Sequence, residues 1–381
     1  MVLAEGRLRR PIFVLALFLL LSPHLHGAPQ AAIPDGIGPL PEGLGVNIHF
    51  TDPMPGEMEM LAAAGFRRVR MDFGWGGIER QKGTYDFSAY DRLTNALDEH
   101  HIHPIFILDY SNRFYDNDLS PHTNEGREAF AKWAAASVTH FKGRGIIWEM
   151  YNEPNISFWR PKPNVNDYTK LALAVGKAIR QAEPGETYIG PACSTMDFRF
   201  LKECFKAGCL EYWSAVSVHP YRQKDPETVV PDYRHLRELI AKYAPAGRQI
   251  PIISGEWGYS SAWKDFDQAK QGRYLPRELL ANVASGIPIS IWYDWHDDGT
   301  NPREPEHHFG TVHHEYHGGR NPVYDAKPAY LAIRALSITL SGCTFGKRLD
   351  VGNESDWILL FHARDGVRLA AWTTRQAHDA T

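Results

Sequence analysis

Between residues 44 and 341 the chain alternates eight times between a short apolar run and a longer segment of helical period. The strand-like runs are 44–50, 66–72, 104–109, 146–152, 187–191, 215–219, 251–256 and 287–294. The helical segments after them are 57–64, 88–100, 124–141, 166–182, 197–206, 231–243, 267–285 and 327–340. Ser88, Asn124 and Asp267 stand where a side-chain oxygen can cap the first free amides of a helix. A helix between two strands returns the chain to the same end of the sheet, so consecutive strands run parallel. Eight such units predict a closed (β/α)8 TIM barrel over residues 44–341.

Barrels of this kind do chemistry at the carboxyl ends of their strands. The residues expected there are polar and aromatic: His49, Arg70, Asp72, Asp109, Tyr110, Asn152, Glu153, His219, Tyr221, Glu256, Trp257, Trp292, Asp294 and Trp295. Two of the runs share a pattern. Ile146-Ile147-Trp148-Glu149-Met150-Tyr151-Asn152-Glu153-Pro154 is an apolar strand stopped by proline just after a glutamate. Pro251-Ile252-Ile253-Ser254-Gly255-Glu256-Trp257 again runs from an apolar strand into a glutamate. One such glutamate is as often a cap or an ion-pair partner. Two on one sheet are the equipment of acid/base work on a glycosidic bond.

Residues 148–155 resemble the W-E-x-x-N-E-P-N signature of the clan A retaining glycoside hydrolases, and the segment around Glu256 resembles their nucleophile strand. Family 39, with its bacterial polysaccharide-hydrolase branch, is the most similar, and family 5 is second. The resemblance implies that Glu153 is the acid/base and Glu256 the nucleophile. It implies that Asn152 binds the sugar 2-hydroxyl and that Arg70 keeps the nucleophile ionised. In His219-Pro220-Tyr221, similar to the sixth-strand motif, Tyr221 would donate to the nucleophile and His219 would line the site. Trp292 would lie under the sugar in subsite −1, with Trp295 as its rival. Asp109 and His49 join the substrate-binding set, and Asp109 replaces a histidine common in family 5. Glu149 precedes Asn152 by three residues, so strand alternation points it to the opposite side, in a structural role. Residues 75–87 resemble a stretch that locks the loop after the second strand.

What this implies is a retaining β-glycoside hydrolase acting on a polysaccharide or oligosaccharide, without a cofactor. A transglycosylase would use the same residues, and a non-catalytic carbohydrate-binding barrel is the rival from another class. The formal charge of −4, from 41 basic and 45 acidic residues, argues against nucleic acid or an anionic membrane as partner. The four cysteines form no C-x-x-C, and the histidines at 307, 308, 313, 314 and 317 form no H-E-x-x-H, so no metal is expected. That histidine-rich segment reads instead as substrate-facing or loop-tethering. The sugar and the oligomeric state are left open.

Arg7, Arg9 and Arg10 precede an apolar run at 12–21 that Pro23 follows closely, which reads as an export signal over residues 1–28. The run is too short to span a bilayer, so no integral membrane domain is expected and the protein is placed outside the cytoplasm, secreted or periplasmic. Export makes disulfides possible, and Cys204 and Cys209 are close enough in sequence to pair. Residues 29–43 form a Pro/Gly-rich lead-in. Residues 342–381 carry three strand-like runs, 344–349, 357–362 and 367–373, with a turn at Asp365-Gly366. They suggest a partial β module, too short for a complete sandwich.

Overall fold

The computed structural model describes residue 33 and residues 38–379, so the expected export signal lies outside the described residues. Eight parallel strands close in chain order. They are β1 (Leu44–Asn47), β2 (Arg68–Gly74), β3 (His103–Asp109), β4 (Ile147–Met150), β5 (Thr187–Ser194), β6 (Val216–His219), β7 (Ile252–Trp257) and β8 (Ser290–Trp292). β8 pairs back onto β1, with Val46 opposite Trp292. All eight expected helices form within two residues of their expected bounds, among them Ser88–Glu99, Asn124–His140 and Val165–Ala182.

Caps differ in detail. Asp267 caps its helix by accepting from the Lys270 amide at 2.6 Å. Thr123 caps the helix that follows it, because Asn124 already has helical backbone and cannot reach back over the first turn. Ser88 likewise lies inside its helix, and its amide is taken by Asp86 Oδ1 at 3.0 Å.

Strand alternation sorts the apolar residues into two layers. Ile105, Ile147, Ile189, Ile253, Ile289 and Ile291 pack together inside the barrel with Ala215 and Ile33. Their neighbours Phe106, Trp148, Val216, Ile252 and Trp292 face outward into the larger core shared with the helices. Toward the carboxyl ends the inward positions become polar: Asn47, Arg70, Glu149, Ser217 and His219, all buried. Gly255 makes room for them. A Cβ there would lie 2.2 Å from Ser217 Oγ and 3.0 Å from Glu149 Oε1, so the close approach itself requires glycine.

After β8 the loop carries an antiparallel pair, β9 (Val312–Tyr316) and β10 (Tyr324–Ala326). Buried Lys327 ties it down through an ion pair with Asp297 at 2.8 Å, and Asp297 also accepts the Gly310 amide at 2.9 Å. The chain then forms an antiparallel sheet of β11 (Thr344–Leu349), β12 (Asp356–Ala363) and β13 (Gly366–Thr373). It is fastened to the barrel by the Trp372 indole, which donates to Glu227 Oε1 at 2.6 Å. All four cysteines are buried free thiols, so Cys204 and Cys209 do not pair. No helix among the described residues is long and apolar enough to cross a membrane.

Candidate active site

Both glutamates singled out in the sequence sit where the strand backbone becomes irregular. β4 ends at Met150, and Tyr151 and Glu153 then adopt left-handed backbone, φ 63° and 44°, on either side of Asn152. Left-handed backbone at a non-glycine residue costs about 1–3 kcal/mol and persists only where the surroundings enforce it. Here the Tyr151 amide is held by Leu108 O at 3.1 Å and the Glu153 amide by Ala192 O at 3.0 Å. The step at Tyr151 breaks the alternation. Glu149 and Asn152 therefore meet the same side chain, Arg70, and the expectation that they point to opposite sides is corrected. Glu256 lies on β7 at a shift of register between Ser254 and Trp257, a bulge that re-aims its side chain into the barrel mouth.

Arg70, fully buried, is the hub of the site. Its Nε donates to Glu149 Oε2 at 2.6 Å and its Nη1 to Glu256 Oε2 at 2.6 Å. Its Nη2 donates to Asn152 Oδ1 at 2.8 Å and lies 3.2 Å from His219 Nε2. Burial works against the guanidinium charge, but Glu149 and Glu256 outweigh it and the pKa is held above its usual value. Tyr221 donates its hydroxyl to Glu256 Oε1 at 2.8 Å, and Asn47 Nδ2 approaches Oε2 at 3.3 Å. Three donors thus converge on the Glu256 carboxyl and fix its orientation in the barrel mouth.

Glu153 is placed differently. Burial raises its pKa, opposed by Ser194 and by the more distant Arg70 charge. His219 Nδ1 lies 2.9 Å from Glu153 Oε1. A guanidinium can only donate, so His219 Nε2 accepts from Arg70 and its proton sits on Nδ1, directed at Glu153. Burial lowers the His219 pKa to about 4, so the ring is neutral at pH 7. With Oε1 engaged as acceptor, the carboxyl proton of Glu153 belongs on the other oxygen. Oxygens of Glu153 and Glu256 and a ring nitrogen of His219 all lie within 4.8 Å of one another. Glu153 is thus disposed by burial to hold a proton, Glu256 is gripped by three donors, and both reach the same small space.

That triad is also close enough to share a cation, as are His49, Asp294 and Asp298. In the first, both His219 nitrogens are already engaged and the Arg70 cation is adjacent. In the second, His49 and Asp294 pair at 2.9 Å, and Asp294 pushes the His49 pKa up to about 10. A metal would have to displace that proton.

A family model described as cellulase (glycosyl hydrolase family 5) matches residues 45–298. The chain belongs to this family. It is an O-glycosyl hydrolase. No curated protein matches it. Among solved structures it is similar to a family 39 glycoside hydrolase from the gut symbiont Bacteroides cellulosilyticus WH2. The two are 24% identical over 88% of this chain and 71% of that one, at a TM-score of 0.76. It is also similar to a family 39 β-xylosidase from Caulobacter crescentus, at 22% identity over 89% and 80% and a TM-score of 0.65. A family 39 enzyme from Xanthomonas axonopodis pv. citri follows at 20%, over 95% and 78%, with a TM-score of 0.66. The family 39 likeness expected from the sequence is thus carried by the fold, and the family 5 likeness by the family model.

The cleft of this glycoside hydrolase is open and has a volume of about 580 Å³. Of the expected site residues, His49, Arg70, Asn152, Glu153, Tyr221 and Glu256 line it. Four expectations are corrected. His219 does not line the cleft; it is wholly buried behind Glu153 and orients it. Asp109 is wholly buried against Asp72, and burial followed by the Asp72 charge raises its pKa well above the carboxylate range. Trp292 follows inward-facing Ile291, so alternation turns it outward, where its indole donates to Phe309 O at 3.3 Å. Trp295 is wholly buried and donates to Glu57 Oε1 at 3.0 Å.

The aromatic at the cleft from this strand is Tyr293, two residues beyond Ile291 and so on the inward face. Counting in twos from the isoleucine layer would have found it. Asn47, one residue inward of outward-facing Val46, follows the same rule. Ile156, Phe158, Trp263 and Phe309 come from loops and Glu306 from a single 3-10 turn, and none carries a periodic signal; Glu306 and Phe309 flank the histidines of the segment expected to face substrate or to tether the loop.

Proposed function

We propose that this protein is a secreted retaining β-glycoside hydrolase that acts on a polysaccharide or oligosaccharide, with Glu153 as acid/base and Glu256 as nucleophile. The observation that carries the reading is the close approach, within 4.8 Å, of two carboxyl groups in different surroundings: burial raises the pKa of Glu153, while Arg70 and Tyr221 donate to Glu256. Retaining enzymes keep this pair about 5–5.5 Å apart so that one can attack the carbon whose leaving group the other protonates; inverting enzymes leave about 6.5–9.5 Å for a water. In the first step Glu256 attacks the anomeric carbon, and Glu153 gives its proton to the departing oxygen. In the second, Glu153 takes a proton from water, which releases the sugar from Glu256. Arg70 and Tyr221 stabilise the anionic nucleophile, and Asn152, its carbonyl fixed by Arg70, presents its NH2 to the sugar 2-hydroxyl.

The stereochemistry tests this directly. Proton NMR of the first product from a β-linked substrate should show the β-anomer, later equilibrating. The screen begins with β-xylosides and β-mannosides, because a β-xylosidase and an exo-β-1,4-mannosidase are among the proteins of similar fold. An α-anomer as first product would rule out double displacement. Export is a separate part of the proposal, supported by the basic and apolar leader. Sequencing the mature N-terminus should place it between about residues 28 and 33, and a cytoplasmic protein beginning at Met1 would overturn it.

A further inference from the structure

Among the described residues few large apolar side chains are strongly exposed, yet two of them, Ile156 at 36% and Phe158 at 43%, stand together at the cleft. They belong to the loop that follows Glu153. The Ile156 amide bonds Glu153 O at 3.1 Å, so the loop turns directly away from the acid/base. Phe158 stacks on Tyr110, with centroids 5.7 Å apart and planes at 17°, and Tyr110 meets Tyr151 edge-on at 5.4 Å. The Tyr151 hydroxyl in turn lies 3.3 Å from Phe158 O and 2.6 Å from Ser120 Oγ. The platform is therefore braced from below rather than loose.

Its position has a chemical consequence. The acid/base delivers its proton to the leaving oxygen, so whatever departs lies on the side of Glu153 remote from Glu256. The polar groups Asn47 of β1, His49 just beyond it and Asp72 of β2 line the cleft from other strands. The charges of the cleft are also committed: Arg70 binds Glu149 and Glu256, and His49 binds Asp294, while Asp72 and Glu306 add negative charge.

We propose that Ile156, Phe158 and Tyr110 form the leaving-group subsite of this enzyme, and that it takes an uncharged leaving group with a flat apolar face. That face is either an aromatic ring or the C–H face of a sugar. The proposal rests on the assignment of Glu153 as acid/base.

The test compares three β-glycosides of one glycone, whichever of glucose, mannose or xylose the enzyme cleaves: the methyl glycoside, the benzyl glycoside and the β-1,4-linked disaccharide. The glycosyl fluoride of the same sugar, whose leaving group needs no proton and covers no surface, is measured beside them. Methanol and benzyl alcohol are of similar acidity, so the ratio of their kcat/KM values reports contact rather than protonation. We expect the benzyl or the disaccharide substrate to exceed the methyl glycoside at least about 10-fold, since each covers apolar surface that a methyl group leaves in water. The doubly substituted Ile156→Ser, Phe158→Ser enzyme should lose most of that ratio, a quantity in which any loss of folded protein cancels. A benzyl preference assigns an aromatic leaving group, and a disaccharide preference assigns a sugar. If the fluoride is hydrolysed but neither ratio exceeds one, or if the ratio survives the double substitution, the subsite is refuted while the hydrolase reading stands. If neither the fluoride nor any glycoside is cleaved, both fall.

Discussion

Glu256→Ala is expected to abolish turnover of every glycoside, by roughly four orders of magnitude or more, on the scale seen when a catalytic nucleophile is removed. Both chemical steps need this carboxylate, and nothing else in the cleft replaces a group held by Arg70 at 2.6 Å and Tyr221 at 2.8 Å. Glu153→Ala should behave otherwise. General acid catalysis is worth about 10²–10⁴-fold, and it is needed for departure only when the leaving group is a poor one. Activity on sugars and alkyl glycosides should fall by that amount, whereas aryl glycosides with acidic phenols should still be cleaved quickly in the first step. Azide, small enough for the space vacated beside His219, should then restore turnover and yield the β-glycosyl azide.

The pH profile adds a sign. Glu153 must be protonated to act, and burial raises its pKa, so activity should fall as pH rises through that raised value. In Glu153→Ala, assayed on an activated substrate, this alkaline limb should vanish. Should Glu153→Ala prove inactive on all substrates and Glu256→Ala yield the β-glycosyl azide, the two roles are exchanged; an α-glycosyl azide from Glu256→Ala would instead mark direct attack by azide in place of the missing nucleophile.

Arg70→Met should cost both stability and activity. Arg70 is wholly buried and pairs with two carboxylates, one of which, Glu149, is itself fully buried. Removing one member of a buried ion pair typically costs about 3–5 kcal/mol, because the other charge stays behind unpaired. That is a large share of the roughly 5–15 kcal/mol by which domains are stable, so a markedly lower Tm is expected. Arg70→Lys should rescue little, since a single ammonium cannot reach Glu149, Glu256, Asn152 and His219 from one stem. Adding Glu149→Met to Arg70→Met removes the stranded charge and should recover part of the lost Tm. Activity should stay low, because Glu256 and Asn152 remain unanchored. A Tm of Arg70→Met within a degree or two of the parent would show that the network carries no such load.

The barrel was legible in the sequence because alternation of strand and helix is a local signal, repeated eight times. The same periodicity located Arg70, Asn152, Glu153, Tyr221 and Glu256 at strand ends. Even Tyr293 and Asn47 were open to a stricter count in twos from the inward isoleucines. What alternation could not supply was the direction of side chains once the strands become irregular. Left-handed backbone at Tyr151 and Glu153, and the bulge before Trp257, re-aim both glutamates. The two left-handed residues are held by amide bonds to Leu108 of β3 and Ala192 of β5, remote in sequence. Nor could it tell an aromatic facing the cleft from one facing the helices, which cost Trp292 and Trp295 their expected place. Loop residues such as Phe158 and Trp263 have no period at all, so only the packing of the folded chain brings them to the cleft. Sequence fixes what a strand can present, by its period; the tertiary contacts at its end decide where the last two side chains point.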